Sequence, residues 1–456
     1  MTAVDRSRLP SLGADPDFAF PAIEKQTLSN GLQVWTVEHP AVPLITLLLL
    51  LPAGAAADPP SRPGLASLTG DLIDEGAGEL SAIALHETLA RIGARLDIDV
   101  GADASTIGVS GLARFADRAF EILADLALRP RFDPSEFERV RERRLARLLQ
   151  LRDMPPAVAD RTFVSLIYPD HPYGHLAVGT EESLRETTLD EVVAFHRRAY
   201  TLSKATLIVV GDGTHDQFVD LARCAFGAHQ TGATEPVIDA AALPRPASPS
   251  HHFALAHRPG AAQSELRVGQ VATARNSPDY HALLVLNMVL GGQFVSRLNM
   301  KLREEKGYTY GARTSFDFRR GPGPFVLQVS VQTEVTADAI RQSLAEISAI
   351  RGERPPTGDE LAGARAALTR GYPRSFETAG QIARAAAQLA LYELPDDYFS
   401  TFVPRVREVN AESVGRAARR HIDPERLVAV VVGDRDRVLA PLEAAGLGPV
   451  RDLTPV

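Results

Sequence analysis

Hydrophobic and polar positions change period along this chain, and the changes come in the same order twice. Residues 26–38 alternate apolar and polar and residues 42–51 are almost continuously apolar, which predicts a half-buried strand followed by a buried one. Apolar residues recur at helical spacing over 64–74 and 82–92, and alternating stretches around 95–100 and 106–112 then predict a strand pair. Helical patterns run from there through Tyr200. Past residue 250 the order returns, with strands near 252–257 and 264–271 and helices at 278–290 and 295–305. A hairpin of 308–318 and 323–332 follows, with Gly-Pro-Gly at its turn, and helices dominate to Arg420. Strands that meet through hairpins and are followed by blocks of helices predict an α+β fold with largely antiparallel sheets.

The recurrence extends to residue identity. Asp212 and Asp434 each close a Val-Val-Gly-Asp run, 222 residues apart, and in that register 188–212 and 410–434 share seven identities in 25 positions. Chance could supply the Val-Val-Gly-Asp match; it hardly supplies Val192/Val414, Arg197/Arg419 and Arg198/Arg420 in the preceding helix register as well. The expectation is two tandem homologous domains, 25–227 and 251–456, after an N-terminal tail of 1–24. Residues 228–250 are rich in Pro, Ala and Thr without sustained periodicity and predict a linker.

Composition narrows the function. At roughly 100–200 residues per domain the chain could hold two to four domains, and the repeat selects two. A hydrophobic share of 45% with 23% charged residues suits a soluble globular protein, and a net charge of −8 argues against a nucleic-acid-coating role. The single cysteine, Cys224, excludes a disulfide framework or a multi-cysteine metal centre and reads as a small core residue at the end of an apolar helix. The longest apolar run, 43–53, is too short to span a bilayer. The first 24 residues hold Pro, Asp and Arg where a secretion signal needs an apolar core. A cytoplasmic location is expected, or a periplasmic one if the N-terminus was trimmed.

The 12 histidines raise the question of a metal. A zinc hydrolase needs two histidines on one helical face and a nearby carboxylate base. The i, i+4 pair His171/His175 lies in a Pro/Gly-containing segment with no glutamate between, which suits loop residues with structural hydrogen bonds. His86-Glu87 does not complete an H-E-x-x-H motif, and His251/His252 read as exposed strand-entry residues. There is no G-x-S-x-G elbow and no P-loop. The informative stretch is GGQFVSRLNMKLREEKGYTYGA, residues 291–312. A helix there would place Val295, Leu298 and Leu302 on one apolar face, with Arg303 near its end and Gly307 breaking it. A following strand would put Tyr308 and Tyr310 on one sheet face. Arg303 and Tyr310 would then converge at a helix–strand corner, a fixed cation and a phenolic donor suited to polarising a peptide carbonyl. The residues alone favour the plainer reading, in which Arg303 belongs to a solvated Arg-Glu-Glu-Lys cluster and Tyr310 packs in the core.

This stretch resembles the C-terminal-domain signature of the pitrilysin-type (inverzincin) zinc metallopeptidases, which include insulin-degrading enzyme, the mitochondrial processing peptidase and bacterial two-subunit peptidases. Arg303 and Tyr310, seven positions apart, match the family's substrate-binding arginine and tyrosine. SNGLQVWTVEH (29–39) is similar to its opening strand and PYGHLAVGTEESL (172–184) to its P-x-G-x-x-x-x-G-T segment. The resemblance implies two homologous α+β domains in tandem, in line with the 222-residue repeat. It also exposes a departure. Where the family carries H-x-x-E-H on the first helix, this chain has Ser67 and Asp71 in place of the histidines and Gly70 in place of the glutamate base. The distal glutamate ligand falls on Arg147 in the helix predicted over 136–149. A guanidinium there would repel a divalent cation, so no zinc is expected in this chain, and Asp71 and Arg147 could form an ion pair in the vacated site. Asp71, Asp74 and Glu75 read as a solvated acidic face.

The resemblance therefore implies a subunit of a heterodimeric zinc peptidase. A homologous partner would bring the H-x-x-E-H zinc centre, while this chain binds and positions peptide substrate through Arg303 and Tyr310. The alternative is a non-catalytic structural core subunit of a larger complex.

Overall fold

The computed structural model describes residues 18–229 and 253–445, together with 13, 243–244, 246–247 and 449–453. Most of the expected tail and linker, and His251/His252, lie outside them. The first half contributes strands β1 (Glu24–Thr27), β2 (Gln33–Glu38), β3 (Leu44–Leu51), a short ribbon of β4 (Gly76–Ala77) and β5 (Leu80–Ser81), β6 (Arg95–Val100), β7 (Ser105–Leu112) and β8 (Thr206–Gly211). The second half supplies β9 (Phe253–His257), β10 (Gln263–Thr273), β11 (Ala312–Phe316), β12 (Gly323–Gln332), β13 (Val428–Gly433) and β14 (Arg451–Leu453). Two six-stranded sheets result, ordered β1-β2-β8-β3-β7-β6 and β11-β12-β10-β13-β9-β14. Read from opposite ends, the shared positions match one for one: β2 with β9, β8 with β13, β3 with β10, β7 with β12 and β6 with β11. The fold is α+β with two tandem domains, and antiparallel pairing dominates. Parallel pairs occur where a long helical crossover separates the partners, β2 with β8 and β9 with β13, and β14 lies parallel to β9.

The residues predicted as one strand over 26–38 divide into β1 and β2. The break is a turn in which Gly31 takes a left-handed φ of 86°. Cys224 is exposed, a correction to its reading as a core residue. Its helix, His215–Phe226, buries Phe218, Val219, Ala222 and Phe226, and Cys224 lies off that face.

Both faces of each sheet are covered, which explains the Leu-rich β3. Ile45, Leu47, Leu49 and Leu51 face the first domain's own helices, whereas Leu48 and Leu50 join the second domain's core. The covering element on that far side is the Ala379–Leu391 helix, which packs on β3 and β8. Reciprocally, the Pro155–Ile167 helix of the first half packs on β10 and β13 and buries Val158, Phe163 and Ile167 against Val428, Val430 and Val432. The two helices occupy corresponding places in the repeat, so each half lends the other a layer.

Polar contacts fix this exchange. Arg267 on β10, 3% exposed, reaches Asp160 on the lent helix and Glu265 on its own strand, and donates to Pro156 O at 3.3 Å. The β11–β12 turn sits on the first domain. Tyr168 Oη donates to Pro322 O at 2.7 Å, the buried Asp103 accepts from the Tyr173 hydroxyl and, at 2.7 Å, from Arg320 N, and Gly321 N donates to Tyr173 Oη at 3.1 Å. At the opposite edge Lys25 of β1 pairs with Asp396.

Two predictions follow from these contacts. Arg267→Ala leaves Glu265 buried without its cation and should cost about 3–5 kcal/mol in urea unfolding. A loss within ±0.5 kcal/mol would mean that the pair does not hold the halves together. Burial also pushes His196 and His281 down to about 4 from an ordinary 6.5. The unfolded chain therefore binds protons that the folded chain refuses between those values. The stability tied to these rings is complete above pH 6.5 and is lost as pH falls toward 4. Denaturant midpoints measured from pH 8 to pH 4 should show that decline, and replacing both histidines by Gln should flatten it.

Candidate functional site

The first candidate centre lies between two helices, Leu65–Ile73 and Pro134–Arg152. The first starts at Gly64, whose left-handed φ of 98° allows the chain to press against Gly179; a Cβ at Gly64 would lie 2.7 Å from the Gly179 Cα. Its free N–H groups are capped by Asp58, which accepts from Gly64 N and Ala66 N at 2.6 Å each and meets His175 Nε2 at 3.0 Å. His175 thus holds the helix start. His171 Nε2 donates to Pro244 O at 2.9 Å, so both histidines of the pair have structural partners.

This helix presents Ser67, Gly70 and Asp71. The cation facing them is Arg144 and not Arg147: Arg144 Nε lies 2.9 Å from Asp71 Oδ2, and Arg144 Nη2 donates to Ser67 Oγ. Arg147 instead donates to Gln150 at an exposed position. The expected Asp71–Arg147 pair is therefore replaced by Asp71–Arg144, one helical turn earlier. The reason is helical phase, since Arg144 falls in line with the buried Phe137, Val140 and Leu148. Arg144 is only 9% exposed, and burial lowers its pKa from the ordinary arginine range while Asp71 opposes the shift. One guanidinium contacts the residues at both histidine positions.

Gly70 closes the site from the other side. A Cβ there would meet Val100 Cγ2 of β6 at 2.9 Å, so the Val100 side chain crowds the space into which a side chain at this position would emerge. The acidic face is ion-paired more than solvated. Glu75 is buried against Arg139 and Arg143, while Asp74 lies 3.7 Å from His86. Burial and the neighbouring Glu75 raise the Asp74 carboxyl above its usual range. A hydroxyl, a glycine and one carboxylate already held by a guanidinium are not a zinc donor set. Among the described residues no group of three or more His, Cys, Asp or Glu is placed to hold a metal.

The second candidate centre lies in the second domain, beside edge strand β11. The Tyr280–Leu290 helix ends at Gly291, where a Cβ would lie 2.5 Å from Thr314 Oγ1 of β11. After the Gly-Gly-Gln-Phe loop the chain makes a short α turn, Arg297–Asn299, and then a wide π-type turn, Met300–Glu305. Leu298 and Leu302 are buried as expected, but Val295 is exposed on the loop. Asn299, which sequence reasoning passed over, ties the corner together: its side chain donates to Gln293 O at 3.1 Å and Ala312 O at 2.8 Å, and accepts from Ala312 N at 2.9 Å. Arg297 is buried in bonds to Glu360 and to the Arg354 and Pro355 carbonyls, a structural role.

Arg303 lies on the π-type turn with its guanidinium 4.0 Å from the centre of the exposed Phe294 ring, and its Nη1 has no hydrogen-bond partner. Glu304 is its nearest acid, 3.6 Å from Nε. Gly307, at φ 66°, ends the turn. The strand predicted over 308–318 starts only at Ala312, so Tyr308 and Tyr310 do not share a sheet face; both lie on the connecting loop. Tyr308 anchors that loop by donating to Asp338 Oδ2 at 2.7 Å, a bond that holds the Asp338 carboxyl down to about 2. Tyr310, two residues on, is 94% exposed, so it does not pack in the core. Chemically, the corner offers a half-buried guanidinium stacked on Phe294, its unpaired Nη1 turned inward, and an open phenol able to donate to a carbonyl.

Comparison with known proteins places these corners in context. A family model described as "Insulinase (Peptidase family M16)" matches residues 33–181, and one described as "Peptidase M16 inactive domain" matches 186–368. An uncharacterized zinc protease of Mycobacterium tuberculosis is 24% identical over 92% of this chain and 95% of its own. A non-peptidase homolog of Helicobacter pylori is 22% identical over 88% and 91%. The crystal structure of a peptidase M16 inactive domain from Pseudomonas fluorescens superposes with a TM-score of 0.83 at 24% identity, covering 91% of this chain and 98% of that one.

The closed first corner yields a prediction. Gly70→Glu must shift the Val100 side chain and should destabilise the protein by about 1–3 kcal/mol in thermal unfolding, with no gain of bound zinc. A variant as stable as the parent that retains stoichiometric zinc after gel filtration would refute this view of the corner.

Proposed function

The chain belongs to peptidase family M16, and from that premise we propose that it is the substrate-positioning half of a heterodimeric zinc peptidase. A homologous partner would carry the H-x-x-E-H zinc centre. The observation that carries this reading is the contrast between the two corners: the first is sealed by Arg144 and Val100, while the second keeps Tyr310 exposed on a braced loop and Arg303 part-exposed on the turn before it. A corner serving only its own fold has no use for a phenol that is 94% exposed. Phe294, Val295 and Met300 are exposed on the same segment and would supply apolar contact to a partner or an extended peptide.

In this reading a peptide lies extended at a sheet edge, held by backbone hydrogen bonds of the strand-addition kind. Arg303 and Tyr310 then reach across the closed interface. The tyrosine hydroxyl donates to the carbonyl oxygen next to the scissile bond, and the guanidinium holds a backbone carbonyl close by. Donors fixed before reaction stabilise developing negative charge without reorganisation. The Asn299 bonds and the Tyr308–Asp338 bond brace the loop for that task.

The test is peptide cleavage by this chain, by a homologous chain with intact H-x-x-E-H, and by their mixture. Activity should appear only in the mixture, and Arg303→Ala or Tyr310→Phe should lower kcat by roughly 10²–10³-fold while the two chains still co-elute. Full activity with both residues changed would remove them from the reaction. A stable complex with no cleavage would favour a structural core subunit.

A further inference from the structure

Arg275, just beyond β10, is 5% exposed, and no carboxylate of a described residue lies within ion-pair distance of it. Its guanidinium carbon sits 3.7 Å from the centre of the Tyr280 ring and 4.7 Å from that of Tyr398. Aromatic faces attract a cation, but they do not replace the full charge that water or a carboxylate would supply. The contrast with the other deeply buried arginines is direct, since Arg144, Arg267 and Arg297 each hold a carboxylate.

The same guanidinium lines a cavity of about 440 Å³ in the second domain, within the size range of small-molecule sites. Tyr372, Phe376 and Phe399 give it aromatic walls, Arg384 adds a second positive charge, and no acidic residue lines it. Tyr398 also faces the cavity; it is 6% exposed, and its hydroxyl lies beside the Arg275 guanidinium. Phe18 and Phe20 pack on Phe376 and Phe399 from outside and are not among the lining residues.

We propose that this cavity binds a small aromatic carboxylate. The acid group pairs with Arg275 and Arg384 and accepts from Tyr398 Oη, while the ring stacks among Tyr372, Phe376 and Phe399. Such a group occurs in free arylalkanoic acids and at the carboxy terminus of a peptide ending in an aromatic residue. The site does not involve Arg303 or Tyr310 and stands independently of the peptidase reading.

Isothermal titration of the full chain tests the proposal with 3-phenylpropionate, N-acetylphenylalanine and the neutral N-acetylphenylalaninamide. The expected result is one saturable site for an acid, with the amide at least about tenfold weaker, because the amide keeps the ring and loses the charge. Binding of N-acetylphenylalanine without 3-phenylpropionate assigns the site to peptide termini, and the reverse assigns it to free acids. Arg384→Gln, at an exposed position, should weaken the acid about tenfold and leave the amide unchanged; Arg275→Gln should abolish acid binding. Should the buried variant fail to fold, Arg384→Gln and the acid–amide comparison still decide. Equal affinity for acid and amide, acid binding unaffected by Arg384→Gln, or no binding of any probe up to about 10 mM would overturn the proposal.

Discussion

Everything in this molecule depends on burying the second face of each sheet. A sheet this apolar on both sides cannot leave one side in water, and the chain solves the problem by exchange. The Pro155–Ile167 helix covers β10 and β13, and the Ala379–Leu391 helix covers β3 and β8. Each fully buried Leu or Val on those faces is worth about 1.5–3 kcal/mol, so neither half holds its layered form without the other. The orientation of the two corners is set by this exchange, because the buried Arg267 contacts and the Tyr173–Asp103 latch admit little sliding between halves.

The two corners both border an edge strand but are built from different segments of the repeat, the first from the Leu65–Ile73 and Pro134–Arg152 helices and the second from the turn and loop that lead into β11. Each lies beside an edge strand, β6 or β11, next to the first long helix of its domain. In the first, opposite charges and a missing Cβ bring helix, strand and arginine into contact. In the second, the Asn299 bonds tie the turn to the first residue of β11, and the loop between them leaves Tyr310 outside. One corner is closed by charge and the other is kept open by hydrogen bonding.

Much of this was legible in the sequence, for identifiable reasons. The leucine run of β3 announced a strand buried on both sides, and the Val-Val-Gly-Asp repeat announced the duplication, because both signals are local in the chain. Ser67, Gly70 and Asp71 could be placed because they share one short helix. The partner cation was less legible, since Arg139, Arg143, Arg144 and Arg147 crowd one helix and only the phase of Phe137, Val140 and Leu148 selects Arg144. The loop position of Tyr310 was hidden by its alternation with Tyr308, which imitates a strand. The wide turn at Met300–Glu305 uses up the residues that a regular helix would have left for one. Arg275 gave no signal at all, because its aromatic neighbours Tyr280, Tyr392 and Tyr398 come from three separate segments.

The contact of Gly70 with Val100 acts as a ratchet. Restoring a glutamate first crowds the Val100 side chain, and restoring a histidine at Asp71 removes the carboxylate that the buried Arg144 holds. No single substitution restores the histidine pair and the glutamate, because Ser67, Gly70 and Asp71 all differ from that pattern. A metal centre in this corner would need coordinated change at those three positions and at Arg144, whose guanidinium now spans two of them.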